Sequence, residues 1–295
     1  MMYKLLERTK TMLIDIEKQK EHFKNHVATF TDYGNIKILD FKEPGTSHYR
    51  IRFLFEEDYH RLHISGDLGE LIATNYNNMC YEQFSDFVHN TGYFEGKIDC
   101  MNRAIYTYDS DKAKEDLIKQ LEWYDWSLEH PYTSMSSEEC RDYDIDCILE
   151  DLNDNTGLGS KAYDKLSEID SECYEWIGDI GKEETGILEL YMLAFELAQK
   201  QIFAHHNTFK CTDSFSVQGC DDDGFSTEEY TQIERGSIWE RDTSSFRMVG
   251  APDTIRLENE QGAWIEITED HLLDYFVPIK QLNDNCLEPQ KQYSL

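Results

Sequence analysis

The chain has 295 residues, of which 59 are acidic and 28 are basic, so its formal net charge at pH 7 is −31. A nucleic-acid-binding protein needs a basic face for the phosphates, and an anionic membrane surface repels so acidic a chain, which argues against both classes. Hydrophobic residues make up 40% of the chain and aromatic residues 13%, too much for a disordered acidic tail. The composition therefore predicts a folded protein with a positively charged partner.

The distribution of apolar residues and cysteines predicts a cytoplasmic protein. No stretch approaches the roughly 18 apolar residues of a membrane span, and the N-terminus runs into a mixed, charged helix instead of an apolar signal core. The eight cysteines are spread over the chain with no CxxC pair. This pattern is typical of reduced thiols and not of a secreted disulfide framework.

Residues 1–130 are predicted to form an N-terminal α+β region. Apolar residues at helical spacing predict a helix in the first 28 residues. Between Tyr49 and Phe55, apolar residues alternate with Arg50 and Arg52, which predicts a half-buried strand. Further strands are predicted at Ile36–Phe41, Arg61–Ser65 and Glu70–Thr74, and helices at Tyr81–Val88 and Asp111–Trp126.

The rest of the chain is predicted to form two more regions. Residues 131–205 are expected to be an acidic helical region, with breaks at Asn153–Gly157 and at Gly178 and Gly181. Residues 206–295 are expected to be a small β-barrel-like module, in which the loop 259–262 joins two strands as a hairpin and Thr268 caps a short helix. The predicted fold class is therefore α+β.

The acidic charge is densest in residues 131–190, whose net charge is −13. In a helix predicted near residues 140–154, Asp142, Asp146, Glu150 and Asp154 form one stripe at i, i+4 spacing, opposite the apolar side chains. The carboxylates would lie roughly 6 Å apart along the helix, a spacing similar to that of phosphates along a nucleic-acid strand. The stripe is either an ordinary solvated face or a surface that meets the basic face of a DNA-binding protein.

A second candidate is the aromatic cluster of Trp123, Tyr124 and Trp126. Tyrosine and tryptophan are over-represented as anchors of protein interfaces. Residues of this kind either pack in the core or contact a partner. Together with the acidic stripe, they make up the predicted partner-binding set.

Searches for catalytic motifs find no constellation that predicts an enzyme. The stretch around Lys182 lacks both the first glycine and the Ser/Thr of a P-loop, and the turn at residues 157–161 is too short for one and is predicted to end a helix. Phe23 stands where a zinc protease would need a glutamate after His22, so His22 and His26 are interpreted as surface histidines.

Metal-binding motifs are equally incomplete. Asp221–Gly224 lacks the ligands of an EF-hand loop and is interpreted as a solvated acidic turn. A zinc site remains an alternative for four residues whose spacing matches no common module: His205, His206, Cys211 and Cys220. No catalytic residue, metal or cofactor is predicted.

Several stretches resemble proteins encoded by phages and prophages of Gram-positive bacteria: HYRIRFLF at 48–55, LHISGDLGELIAT at 62–74, GSIWER at 236–241, IRL at 255–257 and GAWIEIT at 262–268. In length, acidity and layout the chain is similar to the anti-Gabija proteins, which phages use against the bacterial Gabija defence system. The resemblance runs the length of the chain. It implies a non-enzymatic inhibitor in the host bacterial cytoplasm, which assembles as a homo-oligomer around the Gabija nuclease–helicase complex and keeps DNA from being bound and cut.

The leading hypothesis is therefore an acidic inhibitor of a DNA-processing complex that itself contacts neither nucleic acid nor membrane. Two mechanisms stay open, since the carboxylates could imitate phosphate or the protein could simply sheathe its target. The alternatives are an acidic phage structural or host-regulatory binding protein, and a metal-dependent hydrolase that uses His and Asp residues of the β region.

Overall fold

A computed structural model describes residues 15–128, 132, 134–221, 223–244, 246–249 and 254–279. These residues form helices and antiparallel sheets, which confirms the α+β fold class. The chain divides into two compact units. We call Asn102–Leu190 the central unit, and we call Ile16–Met101 together with the described residues from Tyr191 onward the flanking unit.

The first part of the flanking unit is a helix followed by a six-stranded antiparallel meander. Helix α1 spans Ile16–Phe23, and the strands follow as β1 Val27–Asp32, β2 Ile36–Lys42, β3 Ile51–Glu56, β4 Arg61–Gly66, β5 Leu71–Thr74 and β6 Ile98–Met101. Helices α2 Ser85–Val88 and α3 Thr91–Glu95 lie between β5 and β6 in sequence. Alternate residues bury one face of the sheet, where Phe53 stands between Leu39 and Ile64 in register.

The strands predicted between residues 36 and 74 are confirmed, but two neighbouring elements differ from expectation. The helix predicted in the first 28 residues ends at Phe23, because Val27–Asp32 alternates β-branched residues and forms β1; residues 1–14 lie outside the described part. Strand β6 is not predicted from the sequence, since its four residues lack clear alternation and its pairing with β5 contains a register shift.

The central unit consists of helices around a separate apolar core. Its elements are β7 Tyr106–Tyr108, α4 Ser110–Gln120, α5 Ser137–Leu149, β8 Leu152–Asn153, β9 Gly157–Leu158, α6 Ser160–Ile169 and β10 Lys182–Glu184. Strand β7 pairs with β10, and β8 pairs with β9. The core includes Leu117, Trp126, Ile145, Ile148 and Leu166.

Three predicted boundaries in the central unit are wrong. The helix expected at Asp111–Trp126 ends at Gln120, and the helix expected near residues 140–154 ends at Leu149. The turn at residues 157–161 begins a helix instead of ending one, since α6 starts at Ser160. The two helices end early because the chain places Trp126 in the core and Asp151 as the cap of α6, which helical spacing alone does not show.

Helix α7, Ile187–Ala204, continues into the flanking unit and packs there on the six-stranded sheet. Phe195 is fully buried, with ring centroids 5.4 Å from Phe53 and 4.8 Å from Phe84. The Gln201 side chain accepts from Ala28 N at 3.0 Å and donates to His26 O at 2.9 Å, so it joins α7 to the start of β1. No helix in the described part of the chain is both long and apolar enough to cross a membrane.

The last part of the flanking unit is a second sheet with a separate hairpin. Its elements are β11 Thr208–Cys211, β12 Phe215–Cys220, β13 Ser226–Ile233, β14 Ile238–Arg241, β15 Ile255–Glu258, β16 Trp264–Ile267, α8 Glu269–Tyr275 and β17 Phe276–Pro278. The five-stranded sheet has the order β16-β15-β14-β11-β17, while β12 and β13 pair only with each other. The hairpin loop 259–262 and the Thr268 cap of α8 are confirmed.

This second sheet is open, so the predicted β-barrel-like module is wrong in that respect. A barrel requires the two outermost strands to pair, but β16 and β17 each have one neighbour in the sheet as described. Helix α8 connects these two edges directly and buries Leu272 and Leu273 against the core of the sheet. The helix therefore covers the apolar surface that closure of a barrel would otherwise cover.

Candidate functional site

The central unit carries about half of the net charge of the chain in less than a third of its length. Residues 102–190 contain 24 acidic and eight basic residues, a net charge of −16 out of −31. The imbalance is larger on the surface, where 15 acidic but only three basic residues are exposed among the described ones. We call this exposed surface of the central unit the acidic face.

Helix α5 is oriented by its first turn and by its buried side. Ser136 Oγ accepts from Glu139 N at 3.3 Å, and Glu139 Oε2 accepts from Ser136 N at 2.8 Å, which forms a capping box. These hydrogen bonds lower the pKa of Glu139. Ile145 and Ile148 are fully buried in the core, so the opposite side of the helix faces solvent.

Two of the predicted carboxylates on α5 are already paired with cations of the same unit. Asp142 Oδ1 accepts from Arg141 Nη2 at 2.9 Å, and Asp146 Oδ1 accepts from Lys114 Nζ of α4 at 2.6 Å. The hydrogen bond to Asp146 raises the pKa of Lys114. These pairs are exposed, so each contributes little to stability and can be exchanged for a stronger partner.

The remaining two predicted carboxylates differ from each other. Glu150 is the C-cap of α5 and is exposed, and its carboxylate has no partner among the described residues. A carboxylate is unfavourable there, because the last turn of a helix carries partial negative charge. Asp154 does not continue the stripe, since it lies in the turn between β8 and β9, where its carbonyl oxygen accepts from Tyr108 N.

The three predicted aromatic residues pack one against the next, from the core to the solvent. Trp126 is only 3% exposed and belongs to the core, so the expectation that it contacts a partner is wrong. The Tyr124 ring stands edge-on to Trp126 at 5.1 Å between centroids and is half-buried. Trp123 packs on Tyr124 at 5.8 Å and is 62% exposed, so it alone of the three is available as an anchor.

Sequence reasoning missed the exposed tyrosines of the acidic face. Tyr143 is 56% exposed and precedes Asp146 and Glu150 by three and seven residues, so the three share one side of α5. Tyr163 and Tyr174 are also exposed. The helical spacing identifies the position of Tyr143, whereas nothing in the local sequence marks the other two as exposed, because tyrosine occurs both in cores and on surfaces.

The flanking unit contains a different cluster of titratable groups around Lys37. One ligand atom each from Glu57, Cys80 and Glu82 lies within 4.8 Å of the others, the only such set in the described residues. The Lys37 ammonium lies 3.0 Å from Glu57 Oε1 and donates to Glu82 Oε1. Two of the three possible ligands, Glu57 and Glu82, are therefore already ion-paired with the protein's own cation.

The pKa values of the cluster follow from burial and mutual charge. Burial opposes the charged form of Lys37, but the hydrogen bonds and charges of Glu82 and Glu57 raise its pKa overall. Burial and the Glu82 charge raise the pKa of Glu57, and the same two causes raise that of the Cys80 thiol to about 11. Cys80 is therefore a thiol and not a nucleophilic thiolate at neutral pH.

The other sequence-predicted metal and histidine positions are not brought together. His205, His206, Cys211 and Cys220 do not converge within ligand distance in the described structure, and Cys211 Sγ lies 3.0 Å from Asp213 O, to which it donates. Asp221 lies in the hairpin turn and accepts from Phe225 N at 2.8 Å. His26 is buried, so its interpretation as a surface histidine is wrong.

Comparison of the chain with protein-family models, curated proteins and solved structures found no match.

Proposed function

We propose that the chain is an inhibitor that binds a basic, DNA-processing protein complex through the acidic face and so denies that complex its DNA. The observation that carries the proposal is the surface charge of the central unit, with 15 exposed acidic and three exposed basic residues. The resemblance to anti-Gabija proteins directs the proposal to the Gabija nuclease–helicase complex of a bacterial host. In this mode of action no catalytic residue is needed, and several copies could surround one target.

The acidic face combines the two components that protein recognition requires. Its charge speeds encounter with a basic surface and disfavours neutral or acidic partners. Trp123 and Tyr143 are exposed aromatic side chains of the kind that supply affinity when a partner covers them. Asp142 and Asp146 are already paired with cations of this protein, so they are less available to imitate phosphate groups. These ion pairs therefore favour the mechanism in which the protein sheathes its target over imitation of phosphate by α5 alone.

The proposal is tested with the purified Gabija complex, its DNA substrate and increasing amounts of this protein. We expect a stable complex in pull-down experiments and loss of both DNA binding and DNA cleavage. Undiminished DNA cleavage with the inhibitor in excess would contradict the proposal. Assembly of the protein with virion components or a host regulator, without any effect on the nuclease, would support the alternative of a structural or regulatory protein.

The role of the acidic face is tested by charge reversal with a matched control. In Asp146→Lys/Glu150→Lys the change lies on the face, whereas in Asp99→Lys/Glu260→Lys the same change is made at exposed positions of the flanking unit. We expect the first variant to inhibit at least about tenfold more weakly, which corresponds to about 1.4 kcal/mol. The control should inhibit like the unmodified protein. Equal effects of the two variants would exclude a specific role for α5.

A further inference from the structure

The flanking unit contains a cavity of about 680 Å³ that the proposed function does not use. One side is formed by β1 and β2 with the segment that follows Cys80, and the other by β11, β17 and the turn at Arg235 and Gly236. This volume lies in the range of about 300–1,000 Å³ that is usual for sites of small ligands. A protein helix or a nucleic-acid duplex would not fit into it.

Two cations line this cavity without an anionic partner. Lys210 on β11 and Arg235 in the turn before β14 are exposed, and neither side chain has a carboxylate partner among the described residues. Most other bases of the unit are paired with acids: Lys20, Lys24, Lys37, Arg52, Arg61, Lys200 and Arg256. In a chain with more than twice as many acids as bases, two unpaired cations on the lining of one cavity offer charge-assisted hydrogen bonds to a bound anion.

Two acids also line the cavity, and each already has a hydrogen-bond partner. Glu82 is bound by the Lys37 ammonium, which it shares with Glu57. Asp32 Oδ1 accepts from Gly34 N at 2.7 Å, within the turn between β1 and β2. Asp32 keeps its negative charge, so Lys210 and Arg235 exceed the one carboxylate of the lining that has no cationic partner in the described structure by a single positive charge.

Apart from Gln83 and Thr212, the rest of the lining is mostly apolar, and it includes a flat aromatic surface. The Phe30 ring is stacked on Tyr81, with 4.2 Å between centroids, and it is only partly covered. Val277, Pro278 and Ile279 form an apolar wall and are also partly exposed. A bare inorganic anion would leave these surfaces uncovered, whereas a ligand with a ring would bury them.

We propose that this cavity binds a small organic anion in which one anionic group is attached to a flat ring. The anionic group is held by Lys210 and Arg235, and the ring lies against Phe30 and the apolar wall. Both a phosphate on a nucleoside and a carboxylate on an aromatic ring have this chemistry. The site is separate from the acidic face, because all of its lining residues belong to the flanking unit.

Isothermal titration calorimetry on the full chain tests the site with four probes. Adenosine monophosphate represents the phosphate source and benzoate the carboxylate source, while adenosine and inorganic phosphate each lack one half of the ligand. We expect at least one of the first two probes to bind more tightly than adenosine and phosphate. Its affinity should fall as salt is added, since salt screens the attraction to the two cations.

Variants then locate the binding. Lys210→Ala/Arg235→Ala should weaken the bound probe at least about tenfold, because each removed cation takes away a charge-assisted hydrogen bond. Lys42→Ala/Arg50→Ala removes the same two residue types from exposed positions outside the cavity and should leave the affinity unchanged. Melting temperatures without probe verify that both variants fold.

Two results would overturn the proposal. One is the absence of binding by both adenosine monophosphate and benzoate at about 1 mM. The other is binding that Lys210→Ala/Arg235→Ala and Lys42→Ala/Arg50→Ala weaken equally, or not at all. Either result leaves inhibition by the acidic face unaffected, so failure of the cavity proposal can be told apart from failure of the proposed function.

Discussion

His26 is the most completely enclosed histidine of the region that joins α1 to the six-stranded sheet. Its ring lies 5.1 Å from those of Phe23 and Phe41, and its Nε2 is 3.3 Å from the carbonyl oxygen of Tyr49. Its Nδ1 is buried without a hydrogen-bond partner in the described structure. Burial lowers the pKa of His26, and the backbone contact to Tyr49 and the charge of Glu43 only partly oppose this effect. The folded protein therefore favours the neutral form of the His26 ring.

The lowered pKa predicts a stability effect that depends on pH. Below the ordinary histidine pKa of about 6.5 the unfolded chain takes up a proton before the folded chain does, so the contribution of His26 is present at higher pH and declines as the pH falls. We expect His26→Gln to be less stable than the unmodified protein at pH 8 and this difference to narrow towards pH 5. Urea unfolding at several pH values measures it.

His48→Gln is the matched control for this prediction, because His48 packs on the ring of Tyr49, whose carbonyl oxygen lies beside His26, but His48 is exposed. A stability difference for His26→Gln that is the same at every pH, or that follows the pH dependence of His48→Gln, would contradict the buried, neutral ring.

At the level of elements, α6 is capped by Asp151, which lies between α5 and β8. Asp151 Oδ2 accepts from Lys161 N at 2.9 Å and from Ala162 N at 3.1 Å, so it satisfies two free donors of the first turn. Gly159 makes this approach possible, since a Cβ there would lie 2.5 Å from Asp151 Oδ2. The chain thus leaves α5 after Glu150 and places Asp151 as a cap, which is why the predicted acidic stripe stops short of Asp154.

Removal of this cap should destabilise the central unit. We expect Asp151→Ala to lower the free energy of unfolding by about 0.5–2 kcal/mol, the usual cost of losing a side chain that caps a helix N-terminus. Asp154→Ala is the control, because it removes an equal charge three residues away, where only the backbone of Asp154 is used. Urea unfolding monitored by circular dichroism gives both values. Equal losses in the two variants would show that Asp151 acts through its charge and not as a cap.

The elements also show where local pattern suffices and where it does not. Strands β2 to β5 and the hairpin of β15 and β16 were predictable, because alternation along one strand records which face is buried. The ends of α4 and α5 were not, because Trp126 and Asp151 leave the helical path for partners elsewhere in the unit. The sequence predicts the charge of the acidic face, but it does not predict which aromatic residues are exposed there.

For the molecule as a whole, a net charge of −31 predicts self-repulsion within the folded state. Raising the salt concentration from about 0.01 M to about 0.1 M shortens the Debye length from about 30 Å to about 10 Å, which screens this repulsion. We expect the melting temperature to rise by a few degrees over this range, measured by differential scanning calorimetry.

A charge variant separates screening from other effects of salt. Asp99→Lys/Glu260→Lys makes the net charge four units less negative at exposed positions, so its melting temperature should rise less with salt. A melting temperature that falls with salt, or that rises equally in both proteins, would show that repulsion does not limit stability.

The sequence by itself determined the α+β class, the one-sided burial of the first sheet and the concentration of acid in the middle of the chain. These properties depend on periodicity and composition, which any short window of residues already contains. Only the tertiary structure decided which residues pair and which are buried, as in Lys114 with Asp146 or Gln201 with His26. It also decided that Trp126 belongs to the core and that residues 16–101 share a unit with those from Tyr191 onward. Such contacts join residues that are 32 to 175 positions apart in the chain. At that separation, the sequence around one residue does not indicate which residue it will contact.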